Sequence, residues 1–384
     1  MAVVALCRRG QVVTGRNNTQ GSALGLPRTL ATACAILIAA IACWAFWTAA
    51  TRPLNLDFVS FWSAGRLVLE GSPNSAYDIA AHHRAEMRIV PEIGTLPFPY
   101  PPPFLALVTP FALLPFAAAF VLWVLLTGGF YAASARRLAV WPYVLANPAI
   151  LVDAMIGQTG LLAGGLIIAG AVALAEAPFT GGAMLGLMIF KPQLALMLPV
   201  ALLAARQWRA IAGAALSAIA LLFLGLLLFG PGAYIGFCQM LPRYAGYVQQ
   251  ARWNWIELAS PFALARFFGV GPGISLAIQL VAAFLGVALT WIAWSRNWEA
   301  KIAILACATL LGSPYLFTYD AVLMIVPAAC FIEQRRFWLA GLLWLLCALP
   351  VAHVFSLYDG PNTIPLAALG SLIIVAVSSI HQST

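Results

Sequence analysis

Long apolar segments dominate this chain and restrict it to one class of fold. The 384 residues are 63% hydrophobic and only 8% charged, whereas about a quarter of the residues in a globular protein are charged. A helix of about 20 apolar residues crosses the hydrocarbon core of a bilayer, and several segments are long enough to do so. The sequence therefore predicts an all-α polytopic membrane protein.

The positive charges indicate membrane topology. The net charge is +8, but the basic residues are scattered and fall mainly between the apolar segments. The positive-inside rule produces this pattern in cytoplasmic connections, so we expect no nucleic-acid partner. The residues taken as cytoplasmic are Arg8, Arg9, Arg16, Arg28, Arg136-Arg137, Arg206, Arg209, Arg296, Lys301 and Arg335-Arg336.

These inner connections predict a bundle of about twelve transmembrane helices with both termini in the cytoplasm. The predicted spans are 30–51, 102–131, 138–156, 159–176, 180–191, 193–205, 209–229, 273–294, 300–312, 319–333, 336–352 and 362–380. Residues 1–29 and 381–384 are then cytoplasmic tails, and 30–380 form a single integral membrane domain. The spans 180–191 and 193–205 are equally compatible with one broken hairpin around Lys191-Pro192.

This topology places the chemically specific segments on the extracytoplasmic side. The first outer loop covers 52–101 and the second large outer loop covers 230–272. Shorter outer segments contain Gln158, Lys191 and the run 313–320. Elaborate loops carry function more often than plain ones, so the active face is predicted to be extracytoplasmic.

Asp57, near the start of the first outer loop, is the main candidate for chemistry. A carboxylate at the mouth of a membrane is costly, which favours a function over packing. Asp57 also suits the N-cap of a helix from Phe58 to Glu70 that ends at 71–73. The aromatic residues of that helix are predicted to lie in the lipid interface.

Several short motifs resemble one protein family. They are Asp57-Phe58 with Phe61 and Ala64-Gly65-Arg66, Tyr77-Asp78, Tyr100-Pro101-Pro102-Pro103-Phe104, Gly157-Gln158, Phe190-Lys191-Pro192-Gln193, and Ser313-Pro314-Tyr315 with Tyr319-Asp320. In order and spacing they look like the bacterial polyprenyl-phosphate-mannose-dependent α-mannosyltransferases, a branch of the GT-C glycosyltransferase superfamily. The resemblance covers roughly residues 50–335.

The resemblance implies a GT-C-type bundle with loop helices at the extracytoplasmic interface. It implies a polyprenyl-phosphate sugar donor, with mannose as the sugar, and an inverting transfer to a glycan or glycolipid acceptor. Asp57 matches the position of the acidic residue that serves as the catalytic base in this family. Such an enzyme lies among the lipids of the bacterial inner membrane with its active site facing the periplasm.

The chemistry of this transfer also fits the residues themselves. A sugar on a polyprenyl phosphate is already activated, so the enzyme mainly deprotonates and aligns an acceptor hydroxyl. A cation near the leaving phosphate stabilises its developing charge. The candidates for this role are Lys191, Arg66, Arg243 and Arg252, and the candidates for the substrate cavity are Gln158, Asp153, Tyr319, Asp320 and Tyr100.

Each candidate residue has a plainer alternative. Asp57 is also explained as a helix cap, and Lys191 as a side chain that snorkels to the interface. Asp153 is also explained as a buried hydrogen-bonded group, and Asp320 as the anchor of the turn 313–320. The outer arginines are also suited to gripping lipid headgroups.

Other functions remain open on the sequence alone. A lipid-linked sugar flippase or transporter, and an O-antigen ligase or polymerase that uses a diphosphate-linked donor, are the rival hypotheses. No glycine loop for nucleotide binding is present, which disfavours a nucleotide-sugar donor. His82-His83 are expected on a solvated face. A metal site there is not expected, since further ligands at zinc spacing are missing. The sequence indicates no cofactor and leaves a divalent-metal requirement open.

Overall fold

The computed structural model describes Trp47 and residues 57–138, 147–250 and 252–383. These residues are mostly helical and contain no β-strand, apart from an isolated bridge between Leu258 and Phe317. The predicted all-α class is confirmed for this part of the chain. The predicted first span, 30–51, lies outside the described residues except for Trp47.

The first outer loop folds into helices that lead into the bundle. In chain order they are α1 (Phe58–Leu69), a 3-10 helix (Pro73–Tyr77), α2 (Ile79–Met87), α3 (Pro102–Val108), a 3-10 helix (Thr109–Leu113) and α4 (Phe116–Ala135). The predicted single span 102–131 is wrong, because the chain is extended at Leu114 and α4 begins only after Pro115. Proline has no N–H to continue a helix, so Pro115 separates the two segments.

Helix α1 is packed inside the protein, and its predicted position with aromatic residues in the lipid is wrong. Phe58 and Phe61 are fully buried. The Phe61 ring lies edge-on to the rings of Tyr100 and Phe104, with centroids 5.3 and 5.0 Å away. These aromatic contacts draw the N-terminal end of α1, where Asp57 lies, into the bundle.

The middle of the chain forms a set of short apolar helices. They are α5 (Pro148–Ile156), α6 (Gly160–Ala173), α7 (Pro178–Gly186), a 3-10 helix (Leu187–Phe190), α8 (Pro192–Ala195) and α9 (Met197–Ala204). Nearly every residue of α6 is buried, and it packs against α4 and α7. The break predicted at Lys191-Pro192 is confirmed, with Lys191 in a non-helical conformation between two helices.

The next part of the chain is more helical than the sequence predicted. It forms α10 (Trp208–Gln250), α11 (Arg252–Glu257), α12 (Pro261–Phe267) and α13 (Pro272–Ser295). Most of the predicted second outer loop, 230–272, is therefore helical. Gly230 is non-helical, with φ 71° and ψ 177°, but it only kinks α10. Pro231 then restarts the helix, since proline suits a first helical turn.

Four further helical segments complete the described bundle before the last helix. They are α14 (Lys301–Leu311), a 3-10 helix (Thr318–Met324), α15 (Ile325–Glu333) and α16 (Phe337–Val354), and α17 (Ile364–Ser383) follows. All residues of α14 after Lys301 are buried, and α14 packs against α13 and α17.

Five helices in the described residues are long and apolar enough to cross a membrane. They are Phe116–Leu138, Trp208–Gly246, Pro272–Ser295, Phe337–Val354 and Ile364–His381. Large apolar side chains such as Phe223 and Leu227 on α10, and Val281 and Phe284 on α13, are exposed, as expected for surfaces that face lipid. The chain is an integral membrane protein. Several of the other predicted spans correspond to apolar helices shorter than a full crossing.

Candidate active site

Asp57 lies at the N-terminal end of α1, and the residue as a whole is partly exposed. Its Oδ2 accepts a hydrogen bond from Gln158 Nε2 at 2.8 Å. It makes no capping hydrogen bond to α1, so the alternative reading of Asp57 as a side-chain cap is wrong. Burial raises the pKa of Asp57 to about 6, against the lowering effect of the Gln158 hydrogen bond. Such a carboxylate is ionised at neutral pH and still has a useful proton affinity.

Gly157 places Gln158 beside Asp57. It ends α5 in the left-handed conformation, with φ 70°. A Cβ at this position would stand 2.7 Å from the Phe58 Cβ and 2.8 Å from the Phe120 ring. Only glycine allows both this backbone turn and this close approach. The next carbonyl, that of Gln158, is held by the Trp123 indole N–H at 3.2 Å.

Three hydrogen bonds fix the orientation of the Gln158 amide. Its Oε1 accepts from the Tyr100 hydroxyl and from the Thr159 backbone N–H, each at 3.0 Å. Because both donors meet the oxygen, the nitrogen must face Asp57. Gln158 therefore presents a donor to one oxygen of the Asp57 carboxylate and restricts how that carboxylate turns.

Lys191 lies in the same network and is 1% exposed. Its ammonium donates to Asp320 Oδ1 at 2.5 Å and to Thr159 Oγ1 at 3.0 Å. It also lies 4.7 Å from the centroid of the Tyr319 ring, a favourable cation–π distance. The snorkelling alternative is wrong, because the ammonium points into a buried polar site. An ammonium has three donors, and these contacts use two.

Asp320 anchors the turn that precedes it. Its Oδ2 accepts from the Phe317 backbone N–H at 3.1 Å, as the anchor alternative predicted. The Phe317 and Tyr319 rings stack with centroids 5.4 Å apart and an angle of 8° between their planes. The segment 317–320 thus holds a carboxylate toward Lys191 and a pair of aromatic rings beside it.

The same segment is tied to two other parts of the chain. The Thr318 hydroxyl donates to the Glu257 carbonyl at 3.2 Å. Asn362 Nδ2 donates to Thr318 Oγ1 and to the Ile256 carbonyl, each at 2.9 Å. Contacts between residues 257, 318 and 362 bring three distant segments of the sequence to one site.

Glu257 is a carboxylate near Asp57 that the sequence reading missed. Its side chain is exposed, yet burial by the surrounding protein raises its pKa to about 7, and the charge of Asp57 adds to the rise. The only signal in the sequence is an acid after the aromatic residues Trp253 and Trp255.

Asp153 is also brought to the region, but below its surface. The side chain is 1% exposed. A Cβ at Gly160 would stand 2.6 Å from Asp153 Oδ2, so the carboxylate lies against the first turn of α6. This position favours the alternative of a buried polar group over a place in the substrate cavity.

Of the three predicted arginines, Arg66 and Arg243 make no contact with the network among the described residues. Arg66 is partly exposed, with its guanidinium 3.9 Å from Glu70 and 5.6 Å from the Trp62 ring centroid. It follows Asp57 by nine residues, which places it about 13 Å further along α1 and on the opposite face. Arg243 is exposed on α10, and the Arg252 side chain lies outside the described residues.

The histidines of the first outer loop are not placed as predicted. His82 is buried and His83 is half-buried, so the expectation that both lie on a solvated face is wrong. Within the described ranges, no group of three or more His, Cys, Asp or Glu side chains is arranged to hold a metal ion.

Comparison with known proteins identifies the family. The model of glycosyltransferase family 87 matches residues 98–314, which is more than half of the chain. The matched region contains Tyr100, Gln158, Lys191 and Glu257, whereas Asp57 and Asp320 lie outside it. Searches of curated proteins and of solved structures found no similar protein. The chain belongs to glycosyltransferase family 87, and it is a membrane glycosyltransferase.

Proposed function

We propose that the protein transfers a sugar, mannose, from a polyprenyl-phosphate donor to a hydroxyl of a glycan or glycolipid acceptor, with Asp57 as the general base. One observation carries this proposal. Asp57 is partly exposed, is held by Gln158 at 2.8 Å, and has a pKa raised to about 6 by burial. These are the properties of a carboxylate that accepts a proton at neutral pH.

The transfer is a single displacement that inverts the anomeric carbon. Asp57 takes the proton of the acceptor hydroxyl while the hydroxyl oxygen forms a bond to the anomeric carbon. The bond from that carbon to the phosphate oxygen breaks, and its electron pair leaves with the polyprenyl phosphate. A base of this kind contributes about 10²–10⁴ in rate, and alignment of the two reactants contributes further.

The leaving phosphate requires positive charge, and Lys191 is the best placed cation. It is connected to Asp57 through Thr159 and Gln158, in a chain of hydrogen bonds of 3.0, 3.0 and 2.8 Å. One of its three donors is not used by Asp320 or Thr159, and this donor suits a phosphate oxygen. Arg66 lies at the other end of α1, and Arg66, Arg243 and Arg252 suit the headgroup of the polyprenyl phosphate or of neighbouring lipids.

The remaining polar groups suit a carbohydrate. Sugars present hydroxyls to carboxylates and apolar ring faces to aromatic side chains. Glu257 supplies an exposed carboxylate, and Tyr319 with Phe317 supplies stacked rings beside Lys191. Tyr100 contributes indirectly, because its hydroxyl donates a hydrogen bond to Gln158.

The proposed active face is extracytoplasmic, in the bacterial inner membrane, with a GT-C-type arrangement of the bundle. A single cysteine at position 92 in the first outer loop should react with an impermeant maleimide in intact cells. A cysteine at 334, between α15 and α16, should react only after permeabilisation. Labelling of 334 in intact cells contradicts this orientation.

Two rival mechanisms differ from this one in the donor. A ligase-like or polymerase-like enzyme uses a diphosphate-linked donor, and a flippase moves the lipid-linked sugar without cleaving it. Purified protein is incubated with polyprenyl-phosphate mannose or with a polyprenyl-diphosphate sugar, and the released lipid is identified. Free polyprenyl phosphate from the first donor supports the proposal. Release from the diphosphate donor alone favours the ligase.

Asp57→Asn tests the base. Asparagine keeps the shape of the side chain but removes its basicity, so the variant should fold and bind donor while transfer falls about 10²-fold or more. Asp78→Asn is a matched control, since Asp78 only caps α2 through the Ala81 N–H at 2.7 Å. Near-normal transfer by Asp57→Asn would mean that another carboxylate, such as Asp153, Glu257 or Asp320, is the base.

A further inference from the structure

Three buried polar side chains form a cluster where α1 meets α2. They are Ser60 of α1 and His82 and Glu86 of α2. Ser60 Oγ lies 3.0 Å from His82 Nε2, and the same nitrogen lies 3.2 Å from Glu86 Oε1. The other Glu86 oxygen is 3.3 Å from both His83 Nδ1 and the Leu96 backbone N–H. Neither the sequence motifs nor the proposed reaction uses these residues.

The cluster is joined to Asp57 through the first turn of α1. The Ser60 backbone N–H donates to the Asp57 carbonyl at 3.0 Å, and the Ser60 side chain meets His82. His82 is therefore in contact with the turn that begins with the base. The charge of Glu86 also adds to the raised pKa of Asp57, in the opposite sense to the charge of Lys191.

Packing alone does not explain the cluster. Within the described residues, His82 Nδ1 and Glu86 Oε1 have no hydrogen-bond partner, because the 3.2 Å approach of His82 Nε2 to Glu86 is not aligned as a hydrogen bond. Leaving a buried polar group unsatisfied costs about 1–3 kcal/mol. Apolar residues of the same size are often as stable or more stable in such a position.

We propose that Glu86 is a positioning residue for Asp57, which through His82 and Ser60 fixes the first turn of α1 and keeps a second negative charge behind the base. The inference rests on the proposed role of Asp57. A buried like charge favours the protonated form of its neighbour, so Asp57 takes the acceptor proton more readily. Among the described residues, the other titratable groups that interact with Asp57 are Lys191, Glu257, Tyr100, Tyr244 and Tyr319.

A pH titration of the full-length protein in detergent, followed by infrared difference spectroscopy, tests the charge. The carboxyl band that is absent from Asp57→Asn belongs to Asp57. In Glu86→Gln the midpoint of that band should move to lower pH by about half a unit or more, because the neighbouring negative charge is gone. Glu70→Gln, which removes an exposed carboxylate at the end of α1, should leave the midpoint in place. An unchanged midpoint in Glu86→Gln, or an equal shift in Glu70→Gln, overturns the inference.

Two milder variants test the mechanical link and do not depend on the folding of Glu86→Gln. Ser60→Ala keeps the charge but removes the contact with His82, so transfer should fall several-fold with the Asp57 midpoint unchanged. Glu86→Asp keeps the charge and should also keep the midpoint. Wild-type transfer by Ser60→Ala overturns the positioning role.

Failure of the proposed function gives a different result. If Asp57 is not the base, Asp57→Asn retains transfer, whatever the infrared midpoints show. Glu86 then has no catalytic base to position. If Asp57→Asn is inactive while the Glu86 variants behave as wild type, only the present inference is wrong.

Discussion

Two regions of the same bundle bury very different side chains. One is the apolar packing of helices α6 and α14, and the other is the polar network of Asp57, Gln158, Thr159, Lys191 and Asp320. Helix α14 is buried from Ile302 to Leu311 and carries no charge over that stretch. Near the N-terminal end of α6, by contrast, the Lys191 ammonium and the Asp320 carboxylate are almost completely buried. Burying charge is costly even when it is paired, so apolar packing accounts for the helices and a function accounts for the network.

The largest expected effect on stability comes from breaking the Lys191–Asp320 pair. Lys191→Met leaves an unpaired buried carboxylate and should destabilise the protein by about 3–5 kcal/mol. The double variant Lys191→Met, Asp320→Asn leaves no lone charge and should recover much of this loss. Apparent thermal midpoints in detergent measure both effects. A double variant as unstable as the single one would show that the pair is not the source of the cost.

The same double variant sharpens the functional side of the comparison. If Lys191 contacts the donor phosphate, removing it in the Asp320→Asn background should raise the apparent KM for the donor more than that for the acceptor. Leu305→Ala in α14 is the control, since it removes apolar packing at about 2–5 kcal/mol without touching the network. Equal effects on both substrates would limit Lys191 to a structural role.

A smaller effect is expected where α6 meets the network. Gly160→Ala would place a Cβ against the Tyr319 carbonyl oxygen and 2.6 Å from Asp153 Oδ2, and overpacking of this kind costs about 1–3 kcal/mol. At Gly128 in α4 a Cβ would meet only the Leu161 side chain, at 3.9 Å. Gly128→Ala should therefore be neutral or slightly stabilising. Equal thermal midpoints for the two variants would contradict the close contact at Gly160.

The smallest effect expected is on the pH dependence. Transfer should rise with pH through about 6, because the base must lose its proton, and Glu257 should ionise near 7. Asp57→Asn removes the negative charge that helps to raise the pKa of Glu257, so the midpoint of the Glu257 carboxyl band in an infrared titration should move to lower pH by roughly a few tenths of a unit. Asp78→Asn is the control. An unchanged midpoint would contradict the proximity of Glu257 to Asp57.

The sequence predicted the elements whose signals are local. Helix α1 was expected over 58–70 and is observed over Phe58–Leu69, and it ends at Gly71 with φ 78°. The break at Lys191-Pro192 and the long helices α13, α16 and α17 were also expected within a few residues. Each depends on glycine, proline or a continuous apolar run, and these act within a few residues of their own position.

The sequence did not predict features that depend on distant contacts. The aromatic face of α1 looked suited to lipid, but Phe61 found Tyr100 and Phe104 inside the protein. An aromatic stripe has the same composition whether it faces lipid or packs inside the protein, so the sequence does not distinguish the two positions. For the site, the polar motifs gave Asp57, Gln158, Lys191 and Asp320, which the structure brings together. Glu86 and Glu257 were missed, because an isolated acid carries no motif.

Asn362 has a consequence for how the enzyme is made. Its side chain is fully buried and closes the hydrogen bonds that hold residues 256 and 318 together. It lies between α16 and α17, two residues before α17 begins. A ribosome delivers this residue long after Asp57 and Lys191 have entered the membrane. The nascent protein therefore lacks the hydrogen bonds of Asn362 until this late residue has been synthesised, and we expect chains that stop short of it to be inactive in the membrane.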